Sequence, residues 1–71
     1  MKYHVFSGEK GTQDGGMLNY QGLLSYKSIV ELCNHSDWGD VAMVNSDGVL
    51  RVVAFWEGAG KLQCEQGFTW A

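Results

Sequence analysis

The sequence predicts an α+β domain in which one helix packs on one face of a four- to five-stranded antiparallel sheet. The strand signal is strongest over Val49–Glu57 (VLRVVAFWE), which is rich in β-branched and aromatic residues and follows Asn45-Ser46-Asp47-Gly48, a sequence typical of a hairpin turn. The helix signal is an apolar spacing of i, i+3, i+4 and i+7, carried by Tyr26, Ile29, Val30 and Cys33. The 71 residues are enough for one domain, residues 1–71.

The chain begins with a predicted strand over Lys2–Phe6, in which apolar and polar residues alternate. Ser7–Gly16 follows, with four glycines among polar residues, and is predicted to be a mobile loop. Met17–Tyr20 is predicted to form a short strand that returns along the first one. Ser25 is a suitable N-cap for the helix, which we expect over Tyr26–His35.

The second half, Asp40–Gln66, is predicted to be an antiparallel meander of three strands. The turn Gly58-Ala59-Gly60 joins the last two of them. If this turn has three residues, Trp56 lies opposite Leu62, and Ala54 lies opposite Cys64. The strands of the meander are expected over Asp40–Asn45, Val49–Glu57 and Lys61–Gln66.

The central strand has apolar residues on both faces. Strict alternation places Leu50, Val52, Ala54 and Trp56 on one face, which we expect to pack against Ile29, Val30 and Cys33. It places Val53 and Phe55 on the other face, with Arg51 beside them. A chain of this size can cover one face with its helix but not two, so the second face is a candidate docking surface. The predicted protein-binding residues are Arg51, Val53, Phe55 and, near the end of the chain, Trp70.

The composition excludes several classes of partner. The net charge is −3 and the five Lys and Arg are scattered, whereas nucleic-acid binding depends on grouped cations. No apolar stretch approaches the roughly 20 residues that a membrane span requires. Two cysteines are too few for a secreted disulfide scaffold, which favours the cytoplasm. Together, the charge, the apolar lengths and the cysteine count predict a cytoplasmic protein that binds neither membrane nor nucleic acid.

The residues that could carry chemistry form no recognisable catalytic or metal site. The two cysteines and two histidines lack the usual spacing of zinc ligands, since the only local pair is Cys33-x-His35. We therefore predict no metal and no cofactor, with Cys33 and Cys64 as buried thiols or, alternatively, a disulfide. Gly8–Gly16 resembles a phosphate-binding loop only in its glycines, because the Gly-Lys-[Ser/Thr] ending is missing.

The order of elements also resembles that of many small proteins of phages and mobile elements, including some anti-CRISPR proteins. The residues that carry this resemblance are Leu24-Ser25-Tyr26-Lys27, Asp40-Val41, Asp47-Gly48 and Gly60-Lys61. It is a likeness of layout and turn chemistry, and it implies stoichiometric binding to a larger assembly without assigning any binding residue.

Together these observations favour a non-enzymatic protein-interaction module that binds a protein partner or a second copy of itself. The most specific form of this hypothesis is an inhibitor of a larger assembly. The small size and the second apolar face favour a homodimer over a monomer. Two alternatives stay open: a small-ligand or metal-binding domain, and a homo-oligomeric structural subunit.

Overall fold

The computed structural model describes residues 1–8 and 19–71, and within them five strands and one helix form two layers. The elements are β1 (Lys2–Gly8), β2 (Asn19–Ser25), α1 (Tyr26–Asn34), β3 (Trp38–Val44), β4 (Leu50–Glu57) and β5 (Leu62–Cys64). The strands lie in the order β2-β1-β3-β4-β5, and each neighbouring pair is antiparallel. The predicted class, a helix on one face of an antiparallel sheet of four or five strands, is confirmed, with five strands.

Two local signals act as the sequence predicts. The Ser25 side chain caps α1 by accepting a hydrogen bond from the Ser28 amide at 3.4 Å. In the β3–β4 turn, the Asn45 side-chain oxygen accepts from the amides of Asp47 and Val49 at 2.9 and 3.0 Å, and Gly48 has a φ of 80°. Both are short-range bonds between a polar side chain and nearby backbone amides, which is why the sequence alone reveals them.

Several element bounds differ from the predictions. The helix ends at Asn34, one residue before the predicted His35. The strand that returns along β1 covers Asn19–Ser25 rather than Met17–Tyr20, and β5 covers Leu62–Cys64 rather than Lys61–Gln66. Of the predicted mobile loop Ser7–Gly16, the first two residues belong to β1. Its remaining residues, 9–16, and the start of the predicted return strand, 17–18, lie outside the described part of the chain.

The core lies between α1 and one face of the sheet. Helix α1 leads from the edge strand β2 to β3, which pairs with the other side of β1. The buried side chains that form the core cluster are Tyr3, Val5, Ile29, Cys33, Val41, Ala54 and Trp56. Trp56 is fully buried, its ring lies against Gly39 of the neighbouring strand, and its indole N–H donates to the Ser36 carbonyl at 3.1 Å. This confirms Trp56, Ala54, Ile29 and Cys33 as core residues.

A β-bulge in β4 contradicts the prediction that Leu50 and Val52 share the core face with Ala54 and Trp56. Val41 of β3 pairs with Ala54, but its neighbour Ala42 pairs with Val52, so Val53 is an extra residue in the ladder. One extra residue reverses the alternation of faces. The expectation that Leu50 and Val52 lie in the core is therefore wrong, and the two side chains are 47% and 40% exposed on the side away from α1.

Residues 65–71 return across the helix side of the sheet. The Glu65 amide donates to the Val53 carbonyl at 2.9 Å, and the Ala71 amide donates to the Tyr3 hydroxyl at 2.9 Å. The Tyr3 and Trp70 rings meet edge to face, with centroids 5.2 Å apart. This segment adds aromatic cover to the core on the face that α1 already occupies.

Candidate protein-binding surface

The face of the sheet opposite α1 is covered by none of the described elements, and we call it the open face. Its central row crosses all five strands and consists of Tyr20, Phe6, Asp40, Phe55 and Gln63. The next row towards one end consists of Leu23, His4, Ala42 and Val52. The alternation of β1, β3 and β4 adds Lys2, Val44 and Leu50 beyond that row, and Trp38 and Glu57 at the opposite end.

Much of this face is apolar and in contact with solvent. The large apolar side chains exposed on it are Tyr20 (54%), Val44 (52%), Leu23 (51%), Leu50 (47%) and Val52 (40%). Single exposed apolar residues are ordinary, but neighbouring ones on one sheet form a continuous patch. Contiguous apolar patches on soluble domains mark sites of association.

The patch is ordered by contacts among its own side chains on β1 and β2. The Tyr20 hydroxyl lies 2.8 Å from the His4 Nδ1 atom, which makes a hydrogen bond between the two strands. The rings of Phe6 and Tyr20 are in contact, with centroids 5.1 Å apart. These contacts reduce the side-chain freedom that a partner would otherwise have to freeze on binding.

A carboxylate lies within the apolar rows. Asp40 lines a shallow depression with Phe6, Ala42 and Val52, and it pairs with Phe55 across the β3–β4 ladder. Burial raises the pKa of Asp40 above the ordinary carboxyl value, and the nearby negative charge of Glu57 raises it further. The site therefore combines apolar area with one partly desolvated acid, a group that a partner's donor can recognise.

The four predicted protein-binding residues do not share one surface. Phe55 lies half-buried on the face away from the helix, as predicted, and it pairs with Asp40. Arg51 pairs with Met43, and both Met43 and Val53 belong to the side that faces the core. Trp70 also packs against the core cluster. The expectation that Arg51 and Val53 share a face with Phe55 is wrong, because the bulge lies between Val52 and Ala54.

Sequence reasoning missed most of the open face. Strict alternation predicts that Leu50 and Val52 lie in the core, and one inserted residue breaks that alternation. Tyr20 and Leu23 belong to a strand placed too early in the chain, and a second register shift lies between Val5 and Phe6 opposite that strand. The usable signal was Gly22, a glycine within a strand-like segment, which often marks a bulge; its φ is 94°.

The described residues offer no assembled metal or nucleophilic site. They contain no group of three or more His, Cys, Asp and Glu side chains placed to hold a metal ion. Cys33 and Cys64 are both free thiols, so the disulfide alternative is not formed, and Cys64 is exposed rather than buried as predicted. Burial raises the pKa of the Cys33 thiol, although backbone hydrogen bonds oppose this, and a protonated buried thiol is a poor nucleophile. Across the described part of the chain, no helix has the length and apolar character needed to span a membrane.

No protein-family model, curated protein or solved structure matches this chain.

Proposed function

We propose that this protein is a small, non-enzymatic interaction module that binds another protein stoichiometrically through its open face. The observation that carries the proposal is the one-sided covering of the sheet. Helix α1 and residues 65–71 both pack on one face, whereas the opposite face presents Leu23, Val44, Leu50 and Val52 to solvent. Burying apolar area of this kind is worth about 25 cal/mol per Å², so association gains free energy that folding leaves unused.

The chemical pattern of the open face supports a protein as the bound partner. Apolar residues and the rings of Phe6, Tyr20 and Phe55 occupy the middle of the sheet. Charged and polar side chains, among them Lys2, Glu57 and Gln63, lie towards its ends and edge. An apolar centre with aromatic residues and a polar rim is the usual arrangement of protein interfaces.

The cytoplasm as the site of action is part of the same proposal. Both thiols are free, including the exposed Cys64, and a reducing compartment keeps exposed thiols in that state. A module of this kind can inhibit a larger assembly simply by occupying one of its surfaces. The order of elements, which resembles that of small phage and mobile-element proteins, favours this form of the proposal.

Site-specific photocrosslinking tests the proposal. A benzophenone amino acid at Val52, on the open face, is compared with the same residue at Glu31, an exposed position on α1. In extract of cells that express the chain, we expect a discrete protein adduct from position 52 and none from position 31. Unlabelled wild-type protein should compete for the adduct, and a Val52→Asp variant should not. Equal adducts from both positions, or an adduct that no competitor displaces, would rule out the open face as the binding surface.

A further inference from the structure

We propose that the open face binds a second copy of this chain, so that two sheets pack face to face about a two-fold axis. This inference rests on the proposed function and names the partner. The two-fold axis lies between the sheets and crosses the strands, so that each end of one open face covers the opposite end of the other. Two features of the open face select this occupant: the distribution of its charges and its area.

The charges of the open face are self-complementary under that axis. Glu57 lies at one end of the strands, and Asp40 lies in the adjacent central row, close enough for Glu57 to affect the charge of Asp40. Lys2 lies at the other end, beyond His4 on β1. An isologous contact repeats every pairing twice. The axis crosses the strands obliquely, so that Lys2 of β1 in each copy comes over Glu57 of β4 in the other; an axis at right angles to the strands would leave these side chains two strand spacings, about 10 Å, apart. A partner with uniform charge would meet repulsion at one end.

The area of the open face fits a small dimer. The 14 residues named for the open face each take about 4.8 Å across the strands and about 6.8 Å along them, so they cover roughly 460 Å² per copy. Two copies would then bury about 900 Å² in total, slightly below the roughly 1,000 Å² of a small specific interface. The dimer is therefore expected to be reversible at micromolar concentrations rather than permanent.

The edges of the sheet are less suitable for self-association than its face. Strand β5 has three residues, too few for a long ladder with another chain. On the other edge, the register of β2 shifts near Gly22, and such a bulge disturbs continuous pairing. Face-to-face packing needs no unpaired edge, because side chains of two sheets about 10 Å apart interdigitate.

Sedimentation of matched variants tests whether the open face carries the dimer. Wild-type protein at about 100 µM should sediment as a species of twice the 7.9 kDa monomer and should dissociate on dilution. Val52→Asp places a charge in the middle of the open face and should weaken the dimer at least tenfold. Val49→Asp is the control, since Val49 is 59% exposed but lies in the β3–β4 turn outside the face. A monomer at all concentrations, or equal loss in both variants, would overturn the proposal.

Charge reversal tests the orientation of the two copies. Lys2→Glu and Glu57→Lys should each weaken the dimer by roughly three- to tenfold, as expected for paired surface charges that occur twice. The double variant Lys2→Glu/Glu57→Lys restores opposite charges between the copies and should return the dissociation constant to within about twofold of wild type. Additive weakening in the double variant would show that these ends do not meet.

The outcomes separate this inference from the proposed function. If wild-type protein is monomeric but the crosslinker at Val52 captures a different protein, the open face binds proteins and the second-copy proposal is wrong. If the crosslinker at Val52 captures nothing, both are wrong. A crosslinked adduct made of two copies of this chain supports both.

Discussion

At the scale of single residues, Asp40 occupies a position that disfavours its own charge. It lies on the open face between Phe6 and Phe55, where burial and Glu57 both disfavour its charged form. Its pKa is raised on folding, so the folded state binds the proton more tightly than the unfolded state does. Stability is then lost as pH rises from the ordinary carboxyl pKa, about 3.9, through the raised value. The charged form of Asp40 is therefore expected to destabilise the fold at neutral pH.

Asp40→Asn should therefore raise the urea midpoint at pH 7 and leave it unchanged well below the ordinary carboxyl pKa. The amide keeps the shape of the side chain but carries no charge in either state. Urea unfolding at pH 7 and near pH 3, at a protein concentration too low for association, measures the difference. A variant that is less stable at pH 7 than wild type would show that the carboxylate stabilises the fold through a specific partner.

At the scale of elements, strand β4 shows how far sequence patterns lead. Its existence, its preceding turn and its register with β5 follow from local composition, and the pairs Trp56–Leu62 and Ala54–Cys64 are as predicted. Its division between core and surface does not follow, because the bulge at Val53 adds one residue without any glycine or proline to mark it. A period of two in the sequence identifies which residues lie on each face of a regular strand. A bulge exchanges the two faces, and this one contains no residue type that would reveal it in the sequence.

Two valine substitutions test which side chains of the sheet belong to the core and which to the open face. Val41 and Val52 lie on adjacent strands, but Val41 is fully buried whereas Val52 is 40% exposed on the open face. Val41→Ala should lower the free energy of unfolding by about 2–3 kcal/mol, from two lost methyl groups and the cavity they leave. Val52→Ala should cost less than about 1 kcal/mol. Both are measured by urea unfolding at concentrations where the midpoint no longer depends on protein concentration. A larger loss for Val52 would place it in the core, as strict alternation predicts.

At the scale of the whole molecule, everything that the structure describes outside the sheet, namely helix α1 and residues 65–71, packs on the same side. The helix was predictable from its spacing and its Ser25 cap, and so was its position on one face. The return of residues 65–71 over Tyr3 was not, because it depends on contacts between residues far apart in the chain. The candidate site was also predictable only in part. The small size of the chain predicts that one face of the sheet is uncovered, but two bulges determine which residues lie on that face.

Trp70 is accordingly expected to act in stability rather than in binding. Its ring contacts Tyr3, Tyr26 and Phe68 with centroids 4.8 to 5.2 Å apart, all on the helix side. Trp70→Ala should cost about 2–3 kcal/mol of unfolding free energy, and Trp70→Phe should recover at least half of it by keeping an aromatic ring there. Sedimentation of the folded variant should show unchanged dimerisation. Normal stability combined with lost association would return Trp70 to the binding residues.

The bulge at Val53 has a consequence for how such a surface can evolve. Before it, the even-numbered residues of β4 point away from the helix; after it, they point towards it. Loss of the Val53 codon would remove only the extra residue, because Val52 and Ala54 would still pair with Ala42 and Val41 and each side chain of β4 would keep its face. A lineage carrying this fold can therefore lose the bulge by a length change of one residue and keep both the buried core and the apolar open face, without compensating substitutions across the sheet.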